Sequence, residues 1–354
     1  MSLSKRLINT KPAGGVGNFN TVLYTGDGTD NRQITGVGFQ PDWVWFKSRT
    51  VATNNILYDS VRGTSSYTTT NAGAQFNSTQ FTSYDSDGFT LGPIAGSFIN
   101  RVGEDYVAWC WKAGGTSVTN TDGTITSQVS ANTEAGFSIV QYAGTANGTV
   151  GHGLGVEPDF IFARSTNVTN GTATYHSALG SNYNTRIDSA LGSANITNFW
   201  GASGVTNSSV FGLENDPYGF NVYGTLIAYC FTEIPGFSKF GTYTGNGNGS
   251  LDPSGTVVAQ TITTGFEPAM VILRTTQSGY WGIFDNKRGG SSPGSQWRWL
   301  WPSRTKIESD ASGAGGYSTL VDFTPTGFTL GNDASGDWNT NGQQFIYLAF
   351  ANEF

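Results

Sequence analysis

The sequence predicts an all-β protein: three tandem antiparallel β-sandwich domains behind a short N-terminal arm. Three observations predict it. Helix formers are scarce, the chain repeats itself three times, and each repeat breaks into short apolar runs bounded by Gly, Asn, Asp or Ser. The 354 residues include 49 Gly, 23 Phe, 15 Tyr and 10 Trp but only 2 Met, and just 12% are charged. Glycine at that level marks turns, and the aromatics favour strands. The depletion of Lys, Glu, Leu and Met argues against long helices.

Composition also excludes whole classes. So many aromatic side chains can build cores, which rules out a disordered chain. The glycines lack a strict period of three, so the chain is not collagen-like. No apolar run approaches the length of a membrane-spanning helix. A net charge of −7, dispersed along the chain, argues against nucleic acid as a ligand of the body, because phosphate contacts need clustered Lys and Arg. Met1–Gly15 lacks the apolar stretch of a signal peptide, so synthesis in a reducing cytoplasm with free thiols is expected.

The repeat organises the rest. A Gly-x-x-Pro marker leads into an apolar run at Gly38–Pro41, Gly155–Pro158 and Gly265–Pro268, a spacing of about 110–117 residues. Tyr24-Thr25-Gly26, Tyr142-Ala143-Gly144 and Tyr243-Thr244-Gly245 precede it. Tyr58–Gly63, Tyr175–Gly180 and Phe284–Gly289 follow. Next come Asp87–Gly92, Tyr218–Val222 and Thr326–Gly331. Each repeat closes on an aromatic strand marked by Ala108, Ala228 or Ala349. Alternation puts Ala108 and Cys110 on one face of that strand and Trp109 and Trp111 on the other. Cys110 and Cys230 fill equivalent places where the third repeat has Ala, so both read as small buried residues. The boundaries are an arm at 1–18 and sandwiches at 19–130, 131–234 and 235–354, with Gly114–Thr133 as a linker. The second linker is nearly absent, so the second and third domains should pack tightly.

The arm Ser2–Thr10, the run Gly38–Lys47, Tyr58–Gly63, Asp85–Gly92 and Tyr106–Gly115 resemble a repeated lectin-like domain of bacteriophage virion proteins, tail-fibre-like proteins of marine and cyanobacterial phages among them. The match is close for the first repeat, and the others follow through it. The resemblance implies concanavalin-like jelly-roll sandwiches, a place on the virion surface and homo-oligomers such as trimers. It supplies no ligand residues.

Catalysis finds little support. Glycan cleavage needs two carboxylates on one site, yet Glu104 and Asp105 are adjacent and point to opposite faces of a strand. His152 and His176 have no nucleophile elbow beside them. No enzyme activity and no cofactor are expected. Asp85-Ser86-Asp87-Gly88 and Asp27-Gly28-Thr29-Asp30 could offer oxygens to calcium, but neither has a complete loop, and Asp-Gly also makes turns. For glycan binding the candidates are Asp59 with Arg62, Asp285 with Arg288, and the aromatic platforms Trp281, Trp297 and Trp299. The alternative is that these Trp are core and the Asp/Arg pairs are satisfied salt bridges beside a Gly turn. Lys5, Arg6, Leu7 and Lys11 would dock the arm onto another virion protein. The expectation is a structural, adhesive phage surface protein whose partners are tail or capsid proteins and host polysaccharide, its three domains projecting outward. The alternatives are a capsid decoration protein without glycan binding, and a glycan depolymerase.

Overall fold

The computed structural model describes residues 17–71, 75–93, 97–166, 172–201, 205–214, 220–221, 224–247, 250–251, 257–289, 295–296, 298–310, 321–331 and 337–352. Regular structure among them is all strand, in antiparallel ladders that close no barrel. In the large sheet of the first unit, Phe19–Thr25, Asp105–Trp111, Trp43–Ser48, Ile56–Asp59 and Gly63–Thr69 lie side by side in that order. The second unit repeats the order with Phe137–Ala143, Thr225–Phe231, Phe160–Ser165 and Thr172–His176. The third does so with Ser238–Thr244, Gln344–Phe350, Met270–Thr275 and Gly282–Asp285. A smaller sheet faces each large one, built on the pairs Arg32–Thr35 with Gly88–Leu91, Gly148–Gly151 with Val210–Leu213, and Gln260–Thr263 with Gly327–Leu330.

Two sequence readings shift. Val118–Asn120 and Ser127–Asn132 are strands that pair onto Phe137–Ala143. The segment read as a linker therefore extends the second unit's sheet. Its hairpin turns through Gly136, which sits at φ 63°, where a glycine has no Cβ to strain. The register also moves the third closing strand by two residues. Trp43, Phe160 and Met270 pair with Trp111, Phe231 and Phe350. Tyr347 thus stands in the place of Ala108 and Ala228, and Ala349 in that of the cysteines. The large ring fits because its ladder partner is Gly241, whereas the two alanines face Val22 and Val140. A Cβ on Gly241 would come within 2.7 Å of the Tyr347 ring.

The inner face of each large sheet packs on its own small sheet. Val44, Phe46, Ala108 and Cys110 meet Ile34, Phe89 and Leu91 in the first unit. Val140, Ile161, Ala228 and Cys230 meet Val150, Phe211 and Leu213 in the second. Both thiols are free and buried.

The outer faces are apolar too. The positions of Trp43, Trp45, Trp109 and Trp111 carry Phe160, Phe162, Tyr229 and Phe231 in the second unit and Met270, Ile272, Leu348 and Phe350 in the third. All twelve belong to a single buried cluster. Trp43 stacks on Tyr229 with centroids 4.2 Å apart, Phe231 meets Phe350 at 5.5 Å, and Trp111 meets Phe350 at 5.8 Å. The units therefore form a ring about a shared core, where the sequence suggested a projecting row. A void of about 20 Å³ remains at the centre, walled by apolar side chains of all three units. That is room for about one water with nothing to bind it. The ring closes where Gly17 lies beside the Asn352 carbonyl and Phe19 meets Phe350 at 5.7 Å.

Trp43→Ala removes the wall between the first two units. Its expected cost in urea unfolding is about 3–5 kcal/mol, the range for a large buried aromatic. A loss below about 1 kcal/mol would show that the ring does not depend on this stack.

Candidate functional site

The Asp/Arg pairs singled out in the sequence lie at the seams between units, inside the protein. Asp59 accepts hydrogen bonds from Arg62 Nε at 2.6 Å and from Tyr229 Oη of the second unit at 2.8 Å. Asp285 accepts from Arg288 Nε at 2.6 Å and from Trp109 Nε1 of the first unit at 2.9 Å. The side chains of both pairs are at most 2% exposed. Burial alone would favour neutral Arg62, but the Asp59 carboxylate outweighs it and holds the guanidinium charged. These four residues form buried salt bridges, with Arg62 Nη1 left without a hydrogen-bond partner, and present nothing to a surface ligand. Trp281 is buried, its Nε1 donating to the Arg186 carbonyl at 3.1 Å. Trp299 is half-buried, 5.8 Å from Trp301. Trp297 and the arm residues Lys5, Arg6, Leu7 and Lys11 lie outside the described residues.

At the equivalent place in the second unit stands His176. Its Nδ1 accepts from Ala178 N, so Nε2 carries the proton, facing the Tyr347 carbonyl of the third unit at 3.4 Å. The three contacts run in one rotational sense: second unit to first, first to third, third to second.

The other chemical motifs are absorbed locally. Asp87 accepts from the Gly36 and Gly38 amides, and Asp85 from the Ser83 and Thr90 hydroxyls. Asp27 accepts from Thr29 N, a bond that lowers its pKa. These are turn and ladder contacts. His152 faces the Asn207 carbonyl at 3.0 Å. Among the described residues no three His, Cys, Asp or Glu side chains gather in a metal-binding cluster.

One inter-unit backbone bond occurs three times. Glu308 N donates to Arg49 O, Gln75 N to Thr166 O, and Ser193 N to Thr276 O, each at 2.9 Å. Arg49, Thr166 and Thr276 are equivalent, each eight residues after its marker proline. Two residues earlier in each strand is a buried cation, Lys47, Arg164 or Arg274. Lys47 donates to Thr53 O and, across the seam, to Thr305 O. Burial pulls its pKa down to about 7. Arg274 donates to the carbonyls of Arg186, Ser189 and Leu191 in the second unit.

The side chains on that shared bond make the seams differ. Between the first and third units, Arg49 pairs with Glu308 through two bonds of 3.1 and 2.9 Å, and Arg288 also reaches Glu308 at 3.0 Å. Between the second and third units the same positions hold Ser193 and Thr276. There a groove of about 470 Å³ opens. Ala178, Leu179, Tyr183 and Ser193 line one side of it, and Thr276, Gln277, Ser278 and Gln344 the other. Gly192 completes the floor, where a Cβ would meet the Thr276 oxygen and the Gln277 carbonyl carbon at 3.2 Å. Gly279 N donates to Ala190 O beside it.

Sequence reasoning missed this groove. The exchange of Arg49 for Thr276 is legible once the prolines are aligned. Ser193 and Tyr183 lie in an irregular stretch between markers, where no register carries over.

The fold and seams define an all-β protein of three repeated sheet pairs joined in a ring, with a polar groove at one joint. The chain belongs to a family described as a domain of unknown function (DUF7483), whose model matches residues 16–353. No curated protein and no solved structure matched it.

Two measurements probe the seams. Asp285→Ala strands the Trp109 indole and leaves Arg288 held by Glu308 and the Ile283 carbonyl, and should cost about 1–3 kcal/mol in chemical unfolding, as leaving a buried donor unsatisfied does. An unchanged midpoint would mean the pair holds nothing together. Burial pushes the pKa of His176 down to about 4 from its ordinary 6.5. Between those values the unfolded chain takes up a proton that the folded chain refuses. The contribution of neutral His176 is therefore complete above pH 6.5 and declines as the pH falls toward 4. Urea midpoints of His176→Gln should lose that part of the acid slope, whereas parallel slopes for the two proteins would refute it.

Proposed function

We propose that the protein is a structural and adhesive component of a bacteriophage virion surface, attached through its N-terminal arm and binding host surface glycan in the groove between its second and third units. The virion placement rests on the resemblance carried by the arm and the first repeat, which also supplies the jelly-roll reading of the sandwiches. One observation carries the glycan half: the groove offers hydroxyls, amides and one half-buried tyrosine, the mixture that pairs with sugar hydroxyls and the apolar face of a sugar ring. Its volume falls within the range of small-ligand sites. The ring gives the groove rigid walls, since the backbones on its two sides are hydrogen-bonded to each other. Several copies on one particle would turn weak individual sites into firm attachment. Partners are tail or capsid proteins at the arm and host polysaccharide at the groove.

The full chain should bind purified surface polysaccharide of the host saturably in isothermal titration. Tyr183→Ala should weaken that binding about tenfold, roughly 1.4 kcal/mol, without lowering the melting temperature. A wild-type chain that binds no host polysaccharide would favour the capsid-decoration role and end the adhesive reading.

A further inference from the structure

We propose that the groove selects neutral sugars over acidic ones, and that the Ser193–Thr276 pair sets this selectivity; the inference rests on the glycan-binding reading above. Where the first and third units meet, Arg49 and Glu308 fill the space above the shared backbone bond with a bidentate ion pair. Where the second and third units meet, a hydroxyl stands in each of those places. The one exchange does two things. It removes the long side chains, which opens the groove, and it removes both charges from its walls.

None of the nine lining residues is charged. Two cations of the adjoining segments, Arg274 and Arg186, are committed elsewhere. Arg274 is buried, with three carbonyls of the second unit as its acceptors. Arg186 is held by Asp188 through two bonds of 3.0 Å. A carboxylate or sulfate on a sugar would enter the groove without a counter-ion, and desolvating an unpaired charge is costly. A neutral sugar meets groups that both donate and accept, on Ser193, Thr276, Gln277, Ser278 and Gln344. Tyr183 supplies a ring face for stacking, with its hydroxyl near Asn195 Nδ2 at 3.4 Å. Leu179 and Ala178 add apolar contact for ring carbons.

The test uses the full chain against immobilised neutral oligosaccharides and their sialylated or uronate-bearing counterparts. Wild-type protein should bind a neutral member at least ten times more tightly than the matched acidic one. The double variant Ser193→Glu/Thr276→Arg should rebuild the ion pair of the other seam and abolish neutral binding, while unfolding in one cooperative step. Thr276→Arg alone places one cation in the groove and should narrow or reverse the preference in favour of acidic sugars. This single variant decides the matter if the double variant fails to fold. Equal or tighter wild-type binding of acidic sugars would overturn the selectivity and leave the glycan reading intact. Neutral binding unchanged in a folded double variant would place the site elsewhere and overturn the inference. Failure of the wild type to bind any member of either set would remove both readings together.

Discussion

Sheets that are apolar on both faces impose the architecture. Every residue of Trp43–Ser48, Phe160–Ser165 and Met270–Thr275 is buried. One face of each sheet is satisfied within its own unit. The other has to be covered, and among the described residues the equivalent faces of the other units cover it, joined by Ile187 and Trp281. Three such faces meet in a single buried cluster. Burial on both sides explains why these strands read as continuous apolar runs instead of alternating ones. It also explains the cations at their ends. Lys47, Arg164 and Arg274 sit where a strand leaves the shared core, and Lys47 and Arg274 reach the neighbouring unit's carbonyls. Such groups tie backbones that no ladder satisfies.

Equivalent frames do not enforce equivalent chemistry. The inter-unit bond of 2.9 Å is the same at every seam, but the side chains on it are an ion pair, a Gln with a Thr, and two hydroxyls. At the equivalent seam position the first and third units use Asp59 and Asp285 and the second uses His176. Gly241 facing Tyr347 reverses the size order of Val facing Ala inside the other sandwiches. The backbone bond recurs at the seams, and the identity of the side chains around it does not. A backbone shared by three units can therefore keep its geometry while one joint is freed for another use.

Much of the fold was legible in the sequence. The prolines of the Gly-x-x-Pro markers fixed the repeat, and the alternation of Ala108 and Cys110 against Trp109 and Trp111 fixed the two faces. The destination of the second face was not legible. A row of Trp, Phe and Tyr says that something must cover it, and does not say what. Asp59 and Asp285 illustrate the same limit. Their residue types suit a sugar site and a buried salt bridge equally, and the deciding fact is that Tyr229 and Trp109 arrive from other units. The shift at Tyr347 had a different origin: Ala349 matched by composition, and only the ladder reveals the register. The groove was half legible, because Thr276 aligns with Arg49 while Ser193 falls where no marker gives a position.

The meeting of Gly17 with Asn352 has a topological consequence. Two of the three joints are crossed by the polypeptide, and at the third the described residues meet through side-chain and main-chain contact. The ring itself does not distinguish them. With a short bridge from Asn352 to Gly17, the covalent break could move to either of the other joints, and the same three faces would still enclose the same core. The succession of units along the chain is thus a fact of connectivity, separable from the arrangement in space that the packing specifies.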